Sequence, residues 1–323
     1  MPSVTVHVHL ARRVLEALER RPRIAPFDAS RPELVNAFLQ GSFGPDLGYM
    51  PGGHRPLSDL AHCLYSGDLT RALLERSQTP EARAFSWGWV THVLADVFIH
   101  PIVGCAVGEL VYGSPSHFAD GDKHPVAHVR VEAGLDAIYA ERHPELRRLR
   151  FDPALTASEI DVLVDAFDMT YGVTPDRTHF TRSHRVAGRR AEQGLRLAHF
   201  TARLLPTHVK PLRAWLDRQL GPVSWLRSKL GSRHVALGYV LPVLPPLWFL
   251  DAVRDVEENF VEFFEEQVAC SAQSLSNANL DTGRPDREDL AHGGLRRSLD
   301  LLTDLGGRVP AWASPPTPLA GAA

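Results

Sequence analysis

Residues 87–101 read Trp87-Gly-Trp-Val-Thr-His92-Val-Leu-Ala-Asp96-Val-Phe-Ile-His100-Pro101. Apolar side chains surround nearly the whole helical circumference of this stretch, which is typical of a helix buried in a protein core. Three polar side chains interrupt it, and they follow one another at intervals of four residues: His92, Asp96 and His100. Every fourth residue turns by only about 40° around the axis, so the three project from one face.

The carboxylate in this helix needs a partner. Burying Asp96 among valine, leucine and phenylalanine costs several kcal/mol, in the rough range for a desolvated charge, unless a cation or hydrogen bonds compensate. One histidine on such a helix is more often a core residue satisfied by hydrogen bonds. Two imidazoles and a carboxylate on one face are instead a ligand set that borderline metals prefer. The pattern therefore predicts a buried metal site.

Two further motifs carry metal-ligating side chains. His128 and Glu132 lie four residues apart on a helix that Pro125 opens. Taken alone, an amphipathic helix with solvated charges is the better explanation of that pair. The turn-rich segment 41–51 presents Asp46 in irregular backbone, where an Asx turn or a helix N-cap explains the residue equally well.

The rest of the chain predicts an all-α fold, because apolar residues recur at helical spacing and alternating strand patterns are scarce. Helices are predicted over residues 6–20, 32–39, 69–76, 81–100, 125–142, 158–169, 181–205, 210–229, 250–274 and 287–305.

Composition excludes several classes of protein. A formal net charge of -3 over 323 residues argues against a dedicated nucleic-acid binder. Three cysteines without C-x-x-C spacing suggest a reducing compartment. The first 20 residues lack the pattern of a secretory signal, and prolines interrupt the uncharged segment 235–250. We therefore expect a cytoplasmic protein without a transmembrane helix. Segment 235–250 is either a buried connection or a surface for peripheral membrane contact.

Four blocks, taken in order, resemble the zinc-dependent phospholipase C family, which shares its helical fold with P1-type nucleases. They span roughly residues 1–140, and they are His7 before Leu10-Ala-Arg-Arg-Val-Leu, Gly44-Pro-Asp46, His92-x3-Asp96-x3-His100, and His128-x3-Glu132-x3-Asp136. The resemblance implies a multi-helical bundle with additional C-terminal helices. It implies two zinc ions or three, one held by Asp46, His62, His92 and Asp96, a second by His100, His128 and Glu132, and a third by His7 with Asp96.

The resemblance also places Asp46 next to the attacking water, as the catalytic residue. Two choices of ligand stay open at this point, because the spacing does not separate His62 from His54 or His7 from His9. His7 and His9 point roughly 200° apart on a helix, so they cannot both serve one site.

The function implied is a zinc-dependent phosphoester hydrolase, in which a metal-activated water attacks the phosphodiester of a phospholipid or of another phosphoester. The alternatives are a P1-like nuclease or phosphatase, and a non-catalytic helical metal-binding or scaffold protein. No stable nucleic-acid complex is expected, and the sequence predicts no oligomeric state. We expect a catalytic domain over residues 1–205, a C-terminal helical region over 206–313 and a disordered tail over 314–323.

Overall fold

The structure is a computed structural model that describes residues 4–49, 53–121, 123–148, 154–182, 243, 245–292 and 294–313. The helices of the described residues, numbered in chain order, are α1 Val4–Arg20, α2 Pro32–Gly41, α3 Arg55–Cys63, α4 Ser66–Arg76, α5 Pro80–Tyr112, α6 Pro125–Arg142, α7 Ala157–Tyr171, α8 Leu247–Ala269, α9 Asp286–Ala291 and α10 Arg296–Asp304. Short 3₁₀ turns cover Pro45–Gly48, Pro144–Arg148 and Ala311–Ala313. Strands β1 (Ala278–Asn279) and β2 (Arg284–Pro285) pair antiparallel. The all-α prediction is confirmed.

Predicted and observed helices differ most at three places: α3 was not predicted, the single helix predicted over 287–305 is divided into α9 and α10, and α5 is longer than predicted. Helix α6 has the predicted bounds, but α5 runs twelve residues beyond the predicted end at His100 and contains Pro101. A proline inside a helix costs about 3 kcal/mol. The helix continues because Val103 and Val107 are fully buried beyond it, and burying two such side chains gains a similar amount, about 1.5–3 kcal/mol each.

Several predictions fall outside the described residues. They are the helix at 210–229, all but the first two residues of the helix at 181–205, the boundary between 205 and 206, the tail 314–323 and most of segment 235–250.

Helix α5 lies at the centre of the fold and contacts α1, α2, α4, α6, α7 and α8. Among the described helices it alone is long and apolar enough to cross a membrane, and 72% of its most apolar window is buried inside the protein. That burial is typical of the core helix of a bundle.

Helices α2 and α5 approach each other with their backbones in contact. A Cβ atom on Gly41 would lie 1.9 Å from the carbonyl oxygen of Phe85, and one on Gly88 would lie 2.0 Å from that of Phe38. Only glycine fits at such a crossing. The close contact brings the end of α2, and the turn that follows it, against the polar face of α5.

Helix α8 closes the core on the other side. The Phe264 ring packs edge-on against Phe38 of α2 and Trp87 of α5, with ring centroids 6.1 and 5.6 Å away. After α8 the chain returns to α3 and α4 as the β1–β2 hairpin. Residues C-terminal to 243 therefore pack against the helices that carry the predicted site.

Candidate metal centre

The structure brings all eight predicted metal ligands together in the core, each at most 7% exposed. They come from five elements: His7 on α1, Asp46 in the Pro45–Gly48 turn, His62 on α3, His92, Asp96 and His100 on α5, and His128 and Glu132 on α6. Three groups have ligand atoms within 4.8 Å of one another: His7 with His92 and Asp96, Asp46 with His62 and His92, and His100 with His128 and Glu132. We call these eight residues the metal centre.

Asp96 lies between the groups. Its Oδ2 is 3.0 Å from His92 Nε2 and 3.6 Å from His62 Nε2. Its Oδ1 is 3.3 Å from His7 Nε2 and 3.9 Å from His100 Nε2. Because each carboxylate oxygen faces a different pair of imidazoles, Asp96 is placed to bridge two cations.

Asp46 reaches the centre from a turn that α3 holds in place. Ser58 of α3 accepts a hydrogen bond from the Gly48 N–H at 2.7 Å and donates one to the Pro45 carbonyl. This places Asp46 Oδ1 3.2 Å from His62 Nε2.

The third group joins α5 to α6. Glu132 Oε1 lies 3.5 Å from His100 Nε2 and 2.8 Å from His128 Nε2. Gly121 leaves room beside His128, because a Cβ atom at position 121 would lie 2.9 Å from His128 Nδ1. The spacing of His128 and Glu132 on α6 therefore points both side chains at the end of the His92–His100 face.

Backbone carbonyls fix the orientation of three of the rings. The Nδ1 atoms of His62, His92 and His100 lie 2.9, 3.0 and 2.8 Å from the carbonyl oxygens of Ser58, Ser42 and Leu280. A carbonyl only accepts, so each Nδ1 carries a proton and donates it. In the neutral ring, the Nε2 lone pair then faces the carboxylates of the centre, as in zinc-binding histidines.

Lone pairs that face lone pairs repel unless a cation lies between them. The carboxylates of Asp46 and Asp96 are almost fully buried, and within the described part of the chain their oxygens lie against imidazole nitrogens. No described arginine or lysine pairs with them. Roughly 90% or more of the buried polar groups in proteins are satisfied, so two buried carboxylates that face imidazoles without an arginine or lysine mark a place built for positive charge.

The metal-free centre attracts protons for the same reason. Burial lowers the pKa of His62, but the hydrogen bond and charge of Asp46 and the charge of Asp96 outweigh it and raise the pKa to about 9. Burial likewise opposes ionisation of Asp96, yet the imidazoles of His92 and His100 hold its pKa well below the usual range. Imidazole nitrogens and carboxylate oxygens in this arrangement fit zinc.

The structure separates the residues between which the sequence left a choice. His62 lies against Asp46 and His92, whereas the His54 ring stacks on His179 at a centroid distance of 4.0 Å. His7 faces Asp96, whereas His9 Nε2 lies 2.7 Å from Glu257 Oε1 on α8. Geometry therefore favours His62 and His7.

Sequence reasoning missed the three backbone carbonyl acceptors that orient the imidazole rings, because any residue type supplies a carbonyl and only the tertiary fold shows where it points. It also missed Tyr49, whose half-buried ring lies 5.0 Å from that of His62, and Asp281, whose Oδ1 lies 3.7 Å from His100 Nδ1. Asp281 is 181 residues from His100 in sequence, and no local pattern connects them.

Comparison with known proteins places most of the helical core in a known family. A family model described as zinc dependent phospholipase C matches residues 6–174, just over half of the 323 residues, and this range includes all eight residues of the metal centre. Neither a curated protein nor a solved structure matches the chain significantly.

Proposed function

Since the chain belongs to the zinc-dependent phospholipase C family, we propose that it hydrolyses the phosphodiester bond of a phospholipid or of a related phosphoester. The observation that carries the proposal is the metal centre. Five separate elements deliver eight buried ligand side chains to one place, and among the described residues no arginine or lysine pairs with the carboxylates of Asp46 and Asp96 there.

Zinc ions would be held by the three groups of the metal centre. Asp46, His62, His92 and Asp96 would hold one, His100, His128 and Glu132 a second, and His7 with Asp96 a third. When bound, zinc lowers the pKa of a water molecule and neutralises phosphoryl oxygens. The described residues supply the ligands for two ions or three, and the number is part of the proposal.

Asp46 is the residue we propose as the base. The imidazoles of His92 and His62 keep the pKa of its carboxyl below the ordinary value in spite of burial. It is therefore ionised at neutral pH and able to accept a proton. The carboxylate has two oxygens, so one can join the His62–His92 group while the other takes a proton from the attacking water. The Ser58 hydrogen bonds hold the turn in the orientation that this role needs.

Three aromatic residues bear on the choice of substrate. Trp87 and Trp89 belong to the core, at 6% and 2% exposure, and so cannot stack on a nucleobase. Their burial favours a phospholipid or simple phosphoester over a nucleic acid. Tyr49 keeps a P1-like nuclease or phosphatase as the second candidate, because this residue is partly exposed, its ring lies next to that of His62, and it could stack on a base.

The test is a substrate panel on zinc-loaded protein: phosphatidylcholine vesicles, a soluble chromogenic phosphodiester, a phosphomonoester and single-stranded DNA. Release of the phosphorylated head group from the vesicles, abolished in the Asp46→Asn variant, is the expected result. Turnover of DNA alone would replace the proposal with the nuclease. Zinc that binds fully without turnover of any substrate would leave the non-catalytic metal-binding protein. Peripheral membrane contact and a cytoplasmic location stay predictions.

A further inference from the structure

One residue far from the family-matched range touches two ligand-bearing helices. Leu280 lies in the segment 277–286, which contains the β1–β2 hairpin, and it is fully buried. Its N–H donates to the carbonyl of His62 at 2.7 Å, and its carbonyl accepts from His100 Nδ1 at 2.8 Å. A single peptide segment therefore connects α3 and α5 at two residues of the metal centre.

The second of these bonds acts on the ring of His100 directly. With Nδ1 donating to Leu280, Nε2 is left without a proton in the neutral ring and points at Asp96 and Glu132. The first bond acts only on the backbone of His62, whose own ring is oriented by the Ser58 carbonyl within α3. Displacement of Leu280 would therefore affect His100 far more than His62.

Buried polar contacts hold the 277–286 hairpin in place. Asp289 of α9 is fully buried and accepts from Asn279 Nδ2 at 2.8 Å and from Thr282 Oγ1 at 3.0 Å. Asn279 Oδ1 in turn accepts from the Asp281 N–H at 3.0 Å, which shapes the loop that carries Leu280. Gly283, with a φ of 69°, packs against Pro101 of α5 at a distance where a Cβ atom would clash.

We propose that the 277–286 hairpin is a positioning device for the metal centre, which selects the Nδ1-protonated form of His100 and aims Nε2 at the His128–Glu132 group. The proposal rests on the proposed function in so far as that group holds a metal. The hairpin lies outside residues 6–174, which the family model matches, yet it supplies the carbonyl that orients the His100 ring. Residues beyond the matched range would therefore have a defined task at the metal centre.

Two asparagines of the hairpin make a matched pair for the test. Asn279→Ala removes the bonds to Asp289 and to the Asp281 N–H beside Leu280. Asn277→Ala removes two bonds as well, from the Asp68 N–H and to Asp68 Oδ2, both 2.8 Å, at the other end of the hairpin. Both variants should lose similar thermal stability, because each loses two side-chain hydrogen bonds.

Zinc titration against a chromophoric chelator then separates a specific role from a general one. In Asn279→Ala, one class of zinc should bind about 10-fold or more weakly, as is usual when a contact that orients a ligand is lost, while the remaining zinc binds as in wild type. Asn277→Ala should bind all zinc as wild type does. Equal zinc affinities in the two variants, or equal losses in both, would overturn the proposal. If Asn279→Ala fails to fold, Thr282→Val removes one contact to Asp289 at nearly constant volume and takes its place.

A second readout does not depend on metal. Imidazole ¹⁵N spectra of the metal-free protein, at a pH where the ring is neutral, should show His100 with its proton on Nδ1 in wild type and in Asn277→Ala. In Asn279→Ala the ring should populate both tautomers. An unchanged His100 tautomer in Asn279→Ala would contradict the positioning role even if no zinc bound. Loss of the tautomer preference in a protein that binds no zinc would instead support the hairpin's role and reject the metal centre.

Discussion

Two clusters of histidine and carboxylate lie on opposite sides of α1, and they differ in how their charge is balanced. The first is the metal centre, which His7 enters. The second surrounds Glu257 of α8: His9 Nε2 lies 2.7 Å from its Oε1, Arg13 Nη1 lies 2.9 Å away, and the Tyr139 hydroxyl donates to Oε2 at 2.8 Å. The His143 ring lies against that of His9 at a tilt of 36°, with ring centroids 3.9 Å apart. We call this second cluster the Glu257 network.

Geometry alone does not distinguish the two, since His9, His143 and Glu257 also place ligand atoms within 4.8 Å. The partners of the carboxylates distinguish the two clusters. The carboxylate of Glu257 already has a permanent cation in Arg13 and a hydroxyl donor in Tyr139, whereas those of Asp46 and Asp96 pair with no arginine or lysine and no hydroxyl group among the described residues. A cluster of metal-ligating side chains therefore predicts a metal only where the protein leaves its charge without a partner of its own.

The largest expected effect comes from removing the bridging carboxylate. Asp96→Ala takes one ligand from each of the zinc groups that it faces, so zinc content should fall steeply and hydrolysis should fall by at least about 10³-fold, the upper range for loss of one preorganised charge. Elemental analysis and the phosphodiester assay measure the two effects. Full zinc content in the variant would show that Asp96 is no bridge.

The second largest effect is expected at Asp46, where a substitution should lower turnover much more than zinc binding. Asp46→Asn keeps an oxygen ligand but cannot accept a proton, so turnover should fall by about 10²-fold or more, the range for a general base, while most zinc is retained. Steady-state kinetics on zinc-loaded variant and wild type provide the measurement. Turnover within a few fold of wild type would rule out Asp46 as the base.

Proton release distinguishes the two clusters in solution. His62 has its pKa raised to about 9 in the metal-free fold, so its protonated pair with Asp46 stabilises that fold fully below about pH 6.5 and loses the effect as pH rises through 9. Zinc must displace this proton, and its apparent affinity should rise by about tenfold per pH unit between about pH 7 and 9.

Calorimetry in buffers of different ionisation enthalpy measures the protons released. The control is His9→Gln in the Glu257 network, which should release as many protons on zinc binding as wild type. A zinc affinity that is flat between about pH 7 and 9 would contradict the assignment of His62.

The Glu257 network should respond in stability and not in zinc content. Burial opposes ionisation of Glu257, but hydrogen bonds from His9 and Tyr139 lower its pKa from 4.5 to about 2. Its contribution is therefore complete above about pH 4.5 and is lost as pH falls toward 2. Glu257→Gln should cost about 1–2 kcal/mol of unfolding free energy at neutral pH, and less in acid.

Urea denaturation of Glu257→Gln and wild type at two pH values tests this, with zinc content as the control. Loss of zinc from the variant would mean that the Glu257 network, despite Arg13, takes part in metal binding.

The smallest effect is steric. In Gly121→Ala the new methyl group would lie 2.9 Å from His128 Nδ1 and displace the ring, which should weaken one zinc by less than about 10-fold, at the low end for disturbed ligand orientation. Gly113→Ala in the same loop is the control, because its Cβ meets open space and its φ of 80° costs only stability. A chelator titration that shows equal zinc binding in the two variants would refute the contact.

The sequence predicted those features that repeat at helical spacing. His92, Asp96 and His100 could be placed on one face of a buried helix, and His128 with Glu132 on another, from residue intervals alone. The predicted end of α5 at His100 was wrong, because Pro101 was given more weight than the buried residues Val103 and Val107 that follow it. The Glu257 network and the Leu280 contacts were missed because Glu257 and Leu280 are each more than 170 residues from His9 or His100.

The most direct test of the account is the zinc content of wild-type protein purified without added metal, measured by elemental analysis. The metal centre predicts two or three zinc ions per chain. No zinc, even after reconstitution with excess metal, would contradict it, because the buried carboxylates of Asp46 and Asp96 would then have to be balanced by protons on the surrounding histidines alone.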